Sequence, residues 1–576
     1  MMTNREIAEM FERVADMMAI RGDIVHRLLA YRRAGESIRE LGRNLSDIQA
    51  EGGLTEIPGI GKTLAEKIEE MLTTGRLNFY ERLAEEIPPT LVDMLRIEGV
   101  GPKRVKQIYE TLGITTIEEL AEAARTGKLS DLPGLGKKTE ANLVANIEAL
   151  MRHGDERKPL GEVYPIAMQI LNELRELPGV LKAEAAGSLR RRRETIGDLD
   201  LLVAATEAEP IMRWFREMPS VESISGSGPT KTRVTLVNGL GVDLRVLPPE
   251  RWGTLLQYFS GSQAHNVQLR ELALKQGLSL SENSFKVVES GEEILCAEEE
   301  EVYGRLGLPY IIPTLREAQG EIEAARTGKL PQVVQLSDIQ LDLHMHTTWS
   351  DGKQSIRAMA EAARERGLTG IVITDHSQSL GIANGLTIER LREQASEVRV
   401  VNEAMGPDFT IWHGTEMEIK ADGTLDYPDE VLAELDFVIA SLHVGLKQPK
   451  EQVTARALAA IENPHVDMIG HLTGRLLPDR PPADLDLEAV FAAAARTGTI
   501  LEVNANPLRL DLKDSHIKRA LAVGVKIAIN TDAHNVGQLD LMHYGVATAQ
   551  RGWATAADVI NTGTMAALKA YLDGRG

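Results

Sequence analysis

A chain of 576 residues with 64 Lys and Arg against 85 Asp and Glu carries a formal charge of −21. That is the wrong sign for holding nucleic acid by bulk electrostatics, so any such contact must be local. Hydrophobic content of 43% and charged content of 26% suit a globular protein, and the length suggests about three to four domains. The charged start MMTNREIAEMFERVADMM resembles neither a signal peptide nor a membrane span, and the single Cys296 leaves no intramolecular disulfide and no cysteine zinc site; the expected compartment is the cytoplasm.

Residues 1 to 155 read as almost continuous helix, with Ile7, Met10, Phe11 and Val14 at helical spacing. A motif recurs there three times: TEIPGIGKTLAEKI from Thr55, RIEGVGPKRVKQI from Arg96 and SDLPGLGKKTEANL from Ser130. Each is expected as a helix, a Gly-x-Gly turn and a second helix. Gly59 and Gly61, then Gly99 and Gly101, then Gly134 and Gly136, allow a tight turn at a helix N-terminus whose amides can meet a phosphate. Lys62, Lys103 and Lys137 add positive charge. One such turn is ordinarily a connector; three copies followed by basic residues point to sequence-independent DNA binding, the third being the weakest candidate. They resemble helix-hairpin-helix motifs.

From 156 to about 315 the pattern changes. A helix is expected over 160–176, followed by GSLRRRRETIGDLDLL from Gly187. In its second half a strand would put Asp198 and Asp200 on one face and Leu199 and Leu201 in a core. Two carboxylates so placed can share metal, while Gly187, Ser188 and the four arginines from Arg190 to Arg193 suit an anion. Either half alone would more often be plain surface; together they carry the chemistry of nucleotidyl transfer. RVTLVNGLGVDLRVL then supplies two strands around Asn238 and Gly239, with Asp243 on the second as a candidate third carboxylate. Tyr258 and Phe259, an aromatic pair that could equally be core, precede a glycine turn at Gly261 and a helix.

GSLRR, GDLDLL, VDLRVLP, YFSGS and Asn266 together resemble the family X DNA polymerases of the beta type. The resemblance implies that Asp198, Asp200 and Asp243 bind two divalent ions, Mg or Mn, about 3.5 to 4 Å apart, for in-line displacement at the primer 3′-hydroxyl. It implies further that Ser188 and Arg191 hold the incoming triphosphate and Tyr258 and Phe259 screen the sugar, that Gly187, Gly197 and Gly261 belong to the same nucleotide-binding set, and that Asn266 and Arg270 lie along the nascent base pair. Lys67, in KTLAEKI, stands where these polymerases place the lysine that removes a 5′-deoxyribose phosphate through a Schiff base. That chemistry needs a partly neutral amine, which like charges at Lys62 and Arg27 would favour and Glu66 and Glu69 would oppose. Arginine also stands at positions such as Arg27 and Arg32 where animal relatives carry further lysines, so a lyase is expected to be weak or absent, with Lys67 its nucleophile if it exists.

After the acidic stretch CAEEEEVYGRLGL a linker is expected over 316–335, and beyond it strand and helix alternate. Apolar runs at 339–343, 370–374, 409–412, 436–442, 466–469, 499–503 and 525–529 predict a seven-stranded parallel β/α barrel. Residues 337 to 576 hold 22 Lys or Arg against 33 Asp or Glu, which invites metal. His344, His346, Asp351, Asp375, His376, Glu416, His443, His471, Asp532 and His534 all sit at or just past the strand ends, where such barrels keep their active sites. A lone histidine is more often structural, and His413, His465, His516 and His543 are read so. The repetition of the others suits Mn or Zn.

This set is similar to the PHP (polymerase and histidinol phosphatase) superfamily of metal-dependent phosphoesterases. The resemblance maps nine ligands for two to three ions onto His344, His346, Asp351, His376, Glu416, His443, His471, Asp532 and His534, with Asp375 and Glu502 behind them. The expected organisation is an N-terminal helical domain (1–90), a second helix-hairpin-helix region (91–155), an α+β nucleotidyltransferase palm (156–248), a thumb (249–315), the linker and a PHP barrel (336–576). The whole resembles a bacterial family X polymerase with a C-terminal PHP domain: a repair enzyme, monomeric, taking gapped or end-containing DNA and dNTPs near the nucleoid, with a 3′–5′ exonuclease or abasic-site endonuclease attached. The rivals are a nucleotidyltransferase fused to a small-molecule phosphatase and a non-enzymatic DNA-bridging scaffold. Three hairpins argue against the first, three aspartates and nine ligands against the second.

Overall fold

The computed structural model describes residues 2–575 apart from 40, 42–43, 98, 130–131, 134–135, 137–142, 145–146 and 148–156. The chain forms two compact units, one of residues 1–157 with 208–245 and the other of residues 158–207 with 246–576.

In the first unit the helix Asn4–Arg21 begins with a capping box, Thr3 accepting from the Glu6 amide while the Glu6 carboxylate accepts from the Thr3 amide. Its apolar face, Ile7, Phe11, Val14 and Met18, is fully buried, with Tyr31, Ala34 and Ile38 of the helix Val25–Arg39 in the same core. The first two glycine turns form as expected in outline. Gly59 and Gly99 take φ of 82° and 80°, which glycine adopts without strain, and Gly61 and Gly101 cap the helices Lys62–Thr74 and Pro102–Leu112. What precedes each turn differs from expectation: it is 3-10 structure, Leu54–Glu56 and Pro89–Arg96. The second run opens on Pro89 directly after Pro88, and the first lasts three residues, too short for an α-helical turn to repeat. Most of the third motif, including Gly134 and Lys137, lies outside the described residues. The unit also holds an antiparallel set of strands, Val221–Ser227, Lys231–Leu236 and Gly241–Leu247, with Asp243 opposite Arg233.

In the second unit the helix Leu160–Arg175 packs on the strand Val180–Ala185, which pairs antiparallel with Asp198–Ala205. Helices Trp252–Ser260 and Gln263–Lys275 follow, then a small antiparallel sheet and the helix Glu299–Arg305. Residues 316–335 do not hang free: Arg316 and Glu321 are fully buried, and Leu315, Ala325 and Val333 share a core with Leu269, Phe285 and Tyr303. The barrel comprises seven parallel strands hydrogen-bonded in chain order, from Leu341–Asp342 to Ile527–Asn530. Met345 and Ala533, just past the first and last strands, form a further parallel bridge. Strands such as Phe437–Ser441 are buried along their whole length, as expected for parallel strands covered on both faces, and each fully buried Phe or Ile contributes about 1.5–3 kcal/mol.

Candidate functional site

At the C-terminal ends of the barrel strands, eight side chains gather around Glu416. His344 and His346 follow the first strand and His376 the second; Glu416 lies within Thr410–Glu418; His443 and His471 follow the next two strands, and Asp532 and His534 the last. Glu416 Oε2 lies 2.9 Å from His376 Nδ1, 3.4 Å from His344 Nε2 and 3.5 Å from His346 Nε2, while Oε1 lies 2.9 Å from His471 Nε2 and 3.3 Å from His443 Nε2. Asp532 approaches His346 at 3.1 Å, and Asp351 lies 3.4 Å from His534 and 3.7 Å from His376.

Three overlapping groups could each hold an ion: His346 with Asp351, His376 and His534; His344 with His346 and Glu416; His376 with Glu416 and His443. Both oxygens of Glu416, Nε2 of His344, both ring nitrogens of His346 and Nδ1 of His376 are buried without hydrogen-bond partners. Leaving so many polar atoms unsatisfied would be costly, and imidazole nitrogens around carboxylates are a donor set for divalent transition ions, so the residues fit such ions. Burial disfavours charge on Glu416, yet His443, His344 and His376 hold its carboxyl well below the usual range, so it stands as a carboxylate.

Behind these side chains, Glu502 accepts from His344 Nδ1 at 2.7 Å and from the His471 amide at 2.7 Å, fixing which ring nitrogen faces the centre. Asp375 works one step further out: it accepts from the amides of Thr347 and Ser350 and so pins the turn that leads to Asp351. Glu418 was missed from the sequence although it does for His443, at 2.7 Å, what Glu502 does for His344. Its signal was available in the i, i+2 spacing from Glu416, which puts both carboxylates on one face of the strand. Arg509, 3.7 Å from Asp532, carried no pattern that could have marked it. Of the histidines read as structural, buried His413 bonds Gln394 at 3.1 Å.

On the strand Asp198–Ala205, Asp198 and Asp200 are partly exposed while Leu199 and Leu201 are fully buried, the alternation the sequence implied. Gly187 has φ of 59°, and a Cβ there would lie 2.5 Å from Asp200 Oδ2, so only glycine lets the turn approach the carboxylate. Gly187–Arg190 is a helical turn containing Ser188, and exposed Gly197 directly precedes Asp198. A carboxylate pair on one strand face fits Mg or Mn. Asp243, in the other unit, is buried and paired with Lys231 at 3.0 Å and with Arg233. Asn266 ties down the turn before it, donating to the carbonyls of Tyr258 at 2.6 Å and Gly261 at 3.3 Å. The Tyr258 and Phe259 rings meet edge to face at 5.3 Å, and Arg270 is exposed one helical turn beyond Asn266. Arg191 is engaged on two sides, by Glu317 at 2.9 Å and by the Ser260 carbonyl at 2.9 Å. Neither partner was foreseen.

In the first unit Lys67 Nζ lies 4.4 Å from the centre of the Phe79 ring. Burial lowers its pKa; Glu70 opposes the shift and Arg82 and Arg27 add to it.

Residues 2–77 match the helix-hairpin-helix domain model, 91–149 a SAM-like helix-hairpin-helix tandem, 255–317 the DNA polymerase beta thumb and 342–506 the PHP domain. The DNA polymerase/3′-5′ exonuclease PolX of Bacillus subtilis (strain 168) is 39% identical over 575 residues, 99% of each chain. DNA polymerase lambda of Rattus norvegicus is 26% identical over 345 residues, 54% of this chain and 56% of that protein. A probable phosphatase of Thermoanaerobacter sp. (strain X514) is 31% identical over 243 residues, 40% of this chain and 94% of that protein.

Proposed function

Since the chain belongs to the family X DNA polymerases that carry a C-terminal PHP domain, we propose that it fills gaps in DNA from dNTPs and trims 3′ ends through its barrel. The observation that carries the second half is Glu416, whose two oxygens face five imidazoles in a buried cluster. Both centres call for divalent ions, Mg or Mn at the aspartates and Mn or Zn in the barrel. When bound, such ions supply Lewis-acid stabilisation of charge on the transferring or departing phosphate.

The chain's own groups do the rest. Asp198, Asp200 and Asp243 would hold the ions of the polymerase site. Gly187, Ser188, Arg191 and Gly197 would cradle the triphosphate, with the guanidinium matching phosphate oxygens. Asn266 holds the turn at Gly261, and with it the edge that Tyr258 and Phe259 would present to the sugar. Gly59, Gly61 and Lys62, and Gly99, Gly101 and Lys103, would bind DNA phosphates at two helix N-termini, with Arg270 beside the nascent pair. In the barrel, His344, His346, Asp351, His376, His443, His471, Asp532 and His534 would hold metal with Glu416, while Glu502 and Glu418 fix the His344 and His443 tautomers. No described helix is long and apolar enough to cross a membrane; we place the protein in the cytoplasm, on DNA at the nucleoid, as a monomer.

A gapped duplex labelled at the primer 5′ end tests both halves. With dNTPs and Mn the primer should lengthen to the gap's end, and without dNTPs it should shorten from its 3′ end. A protein that only released phosphate from small monoesters would overturn this in favour of a phosphatase fusion. A 5′-deoxyribose-phosphate lyase rests separately on Lys67, whose burial against Phe79 favours the neutral amine that Schiff-base formation needs.

A further inference from the structure

Two neighbouring barrel strands end beside each other at Glu418 and His443. The strands Thr410–Glu418 and Phe437–Ser441 run in register with Glu418 beside Ser441, and their last rung is Ile419 N donating to the Ser441 carbonyl at 2.9 Å. Beyond that rung come Lys420 on one chain and His443 on the other. Glu418 closes one side of the gap: besides bonding His443 Nδ1 at 2.7 Å, it accepts from the amides of His443 and Val444, each at 3.2 Å.

Arg456, on the helix Lys450–Ile461 and 3% exposed, closes the other. Its Nη2 donates to the carbonyls of Ile419 at 2.6 Å and Val444 at 2.9 Å, so a single nitrogen spans both chains. Nε donates to the Lys420 carbonyl at 2.9 Å and Nη1 to Gln448 Oε1 at 2.7 Å, while Gln448 Nε2 reaches the Ala421 carbonyl at 3.0 Å. The turn is moulded on this side chain: Gly445 has φ of 66°, and a Cβ there would lie 2.8 Å from Arg456 Nη1. These acceptors are three carbonyls and an amide oxygen, all neutral, although a buried guanidinium is ordinarily matched with a carboxylate. Burial lowers the pKa of Arg456 and Glu418 leads the groups that oppose the shift, so the charge is balanced through space by the carboxylate that orients His443.

Of the three groups that could hold an ion, His443 belongs only to the one with His376 and Glu416, and its Nε2 lies 3.3 Å from Glu416 Oε1. Metal–donor distances tolerate shifts of about 0.2 Å, so any opening between the two strand ends would carry His443 out of reach. Resting on the reading of the barrel as a metal centre, the geometry points to Arg456 as a positioning residue for a single ion, the one that His376, Glu416 and His443 would hold. The group of His346, Asp351, His376 and His534 stands on other turns and should fill without it.

The test counts ions. Full-length protein carrying Asp198→Ala and Asp200→Ala, to silence the proposed aspartate centre, is stripped of metal and titrated with Mn, free Mn being read from its EPR signal. Arg456→Met keeps the aliphatic stem and removes every donor; it should weaken one ion by about 10–100-fold, the range for partners behind a metal ligand, and leave the rest unchanged. His443→Ala should weaken the same ion, and combining the two should cost no second ion. Arg456→Lys, which keeps the charge with fewer donors, should fall between Arg456→Met and the parent. Unchanged binding in Arg456→Met, equal weakening of every ion, or a second ion lost in the double variant overturns the proposal. If circular dichroism shows Arg456→Met unfolded, Arg456→Lys decides on the same grounds: weakening confined to one ion supports the role, and none or a uniform one overturns it. A parent that binds no Mn removes the metal-centre reading itself, and the role of Arg456 with it.

Discussion

Arg551, on the barrel helix Met542–Arg551, donates Nη1 to the backbone carbonyl of Arg191 at 3.0 Å. The same nitrogen meets Glu317 Oε1 at 2.8 Å, the oxygen that also receives Arg191 Nε, and Nη2 pairs with Asp514. A residue of the barrel thus sets both the backbone and, through Glu317, the guanidinium of the arginine proposed for the triphosphate. Arg551→Ala would leave two buried carboxylates short of a partner, a change worth about 3–5 kcal/mol. Urea unfolding should show that loss, and steady-state extension should show a raised KM for dNTPs at little-changed kcat. Arg551→Lys keeps the charge without the two-sided fork and should fall between; a KM unmoved in both variants would deny Arg551 a positioning role.

Glu317, together with Glu299, gives the fold an acid limit. Burial opposes charge on Glu299 and Glu317, but Arg316 and Arg190 hold the first at about 2, and Arg551 and Arg191 hold the second at about 2. Both folded values lie below the ordinary 4.5, so the stabilisation is present above pH 4.5 and is lost as pH falls from there toward 2, by about 3 kcal/mol each. Thermal melts between pH 6 and pH 3 should show Tm dropping steeply below pH 4.5. Glu317→Gln should already be less stable than the wild type at pH 6 and show a shallower drop; an unchanged slope would contradict the assignment.

Asp243→Ala should abolish extension while leaving DNA affinity nearly intact, because the hairpins and not the aspartates are proposed to hold the duplex. The loss should exceed the about 10–100-fold that partners behind a metal ligand are worth. Primer extension beside a gel shift separates the two. Extension near the wild-type rate would remove Asp243 from the site.

His344→Ala should lose 3′ trimming and keep extension. Glu418→Gln should lower trimming by about 10–100-fold, since the amide can no longer hold a charged bond to His443 Nδ1. Loss of extension in either variant would show that the two centres depend on each other.

Borohydride trapping on an incised abasic duplex should yield a covalent adduct with the wild type and none with Lys67→Ala. Arg82 and Arg27 favour the neutral amine and Glu70 opposes it, so Arg82→Glu should weaken the adduct at pH 7. No wild-type adduct, or one undiminished in Lys67→Ala, would end the lyase proposal.

The sequence by itself determined what is local and periodic. The alternation of Asp198 and Asp200 with Leu199 and Leu201, the helix from Leu160, the glycine turns at Gly59 and Gly99 and the seven strands of the barrel were all legible, because side-chain period and backbone freedom are encoded residue by residue. That the side chains from His344 to His534 belong together was legible too, since each follows or lies on a strand of one barrel. Only the tertiary structure decided which groups share a partner. That Glu416 stands at the centre of five imidazoles, that Glu418 orients His443, and that Arg551 reaches Arg191 across 360 positions depend on distances through space. It decided as well that parts of 316–335 are drawn into a core: Arg316 and Glu321 look like solvated charges in a row of letters, and are fully buried because Glu299 and His265 await them in the fold. Charge pairing of this kind leaves no period in the sequence, which is why it could not be read there.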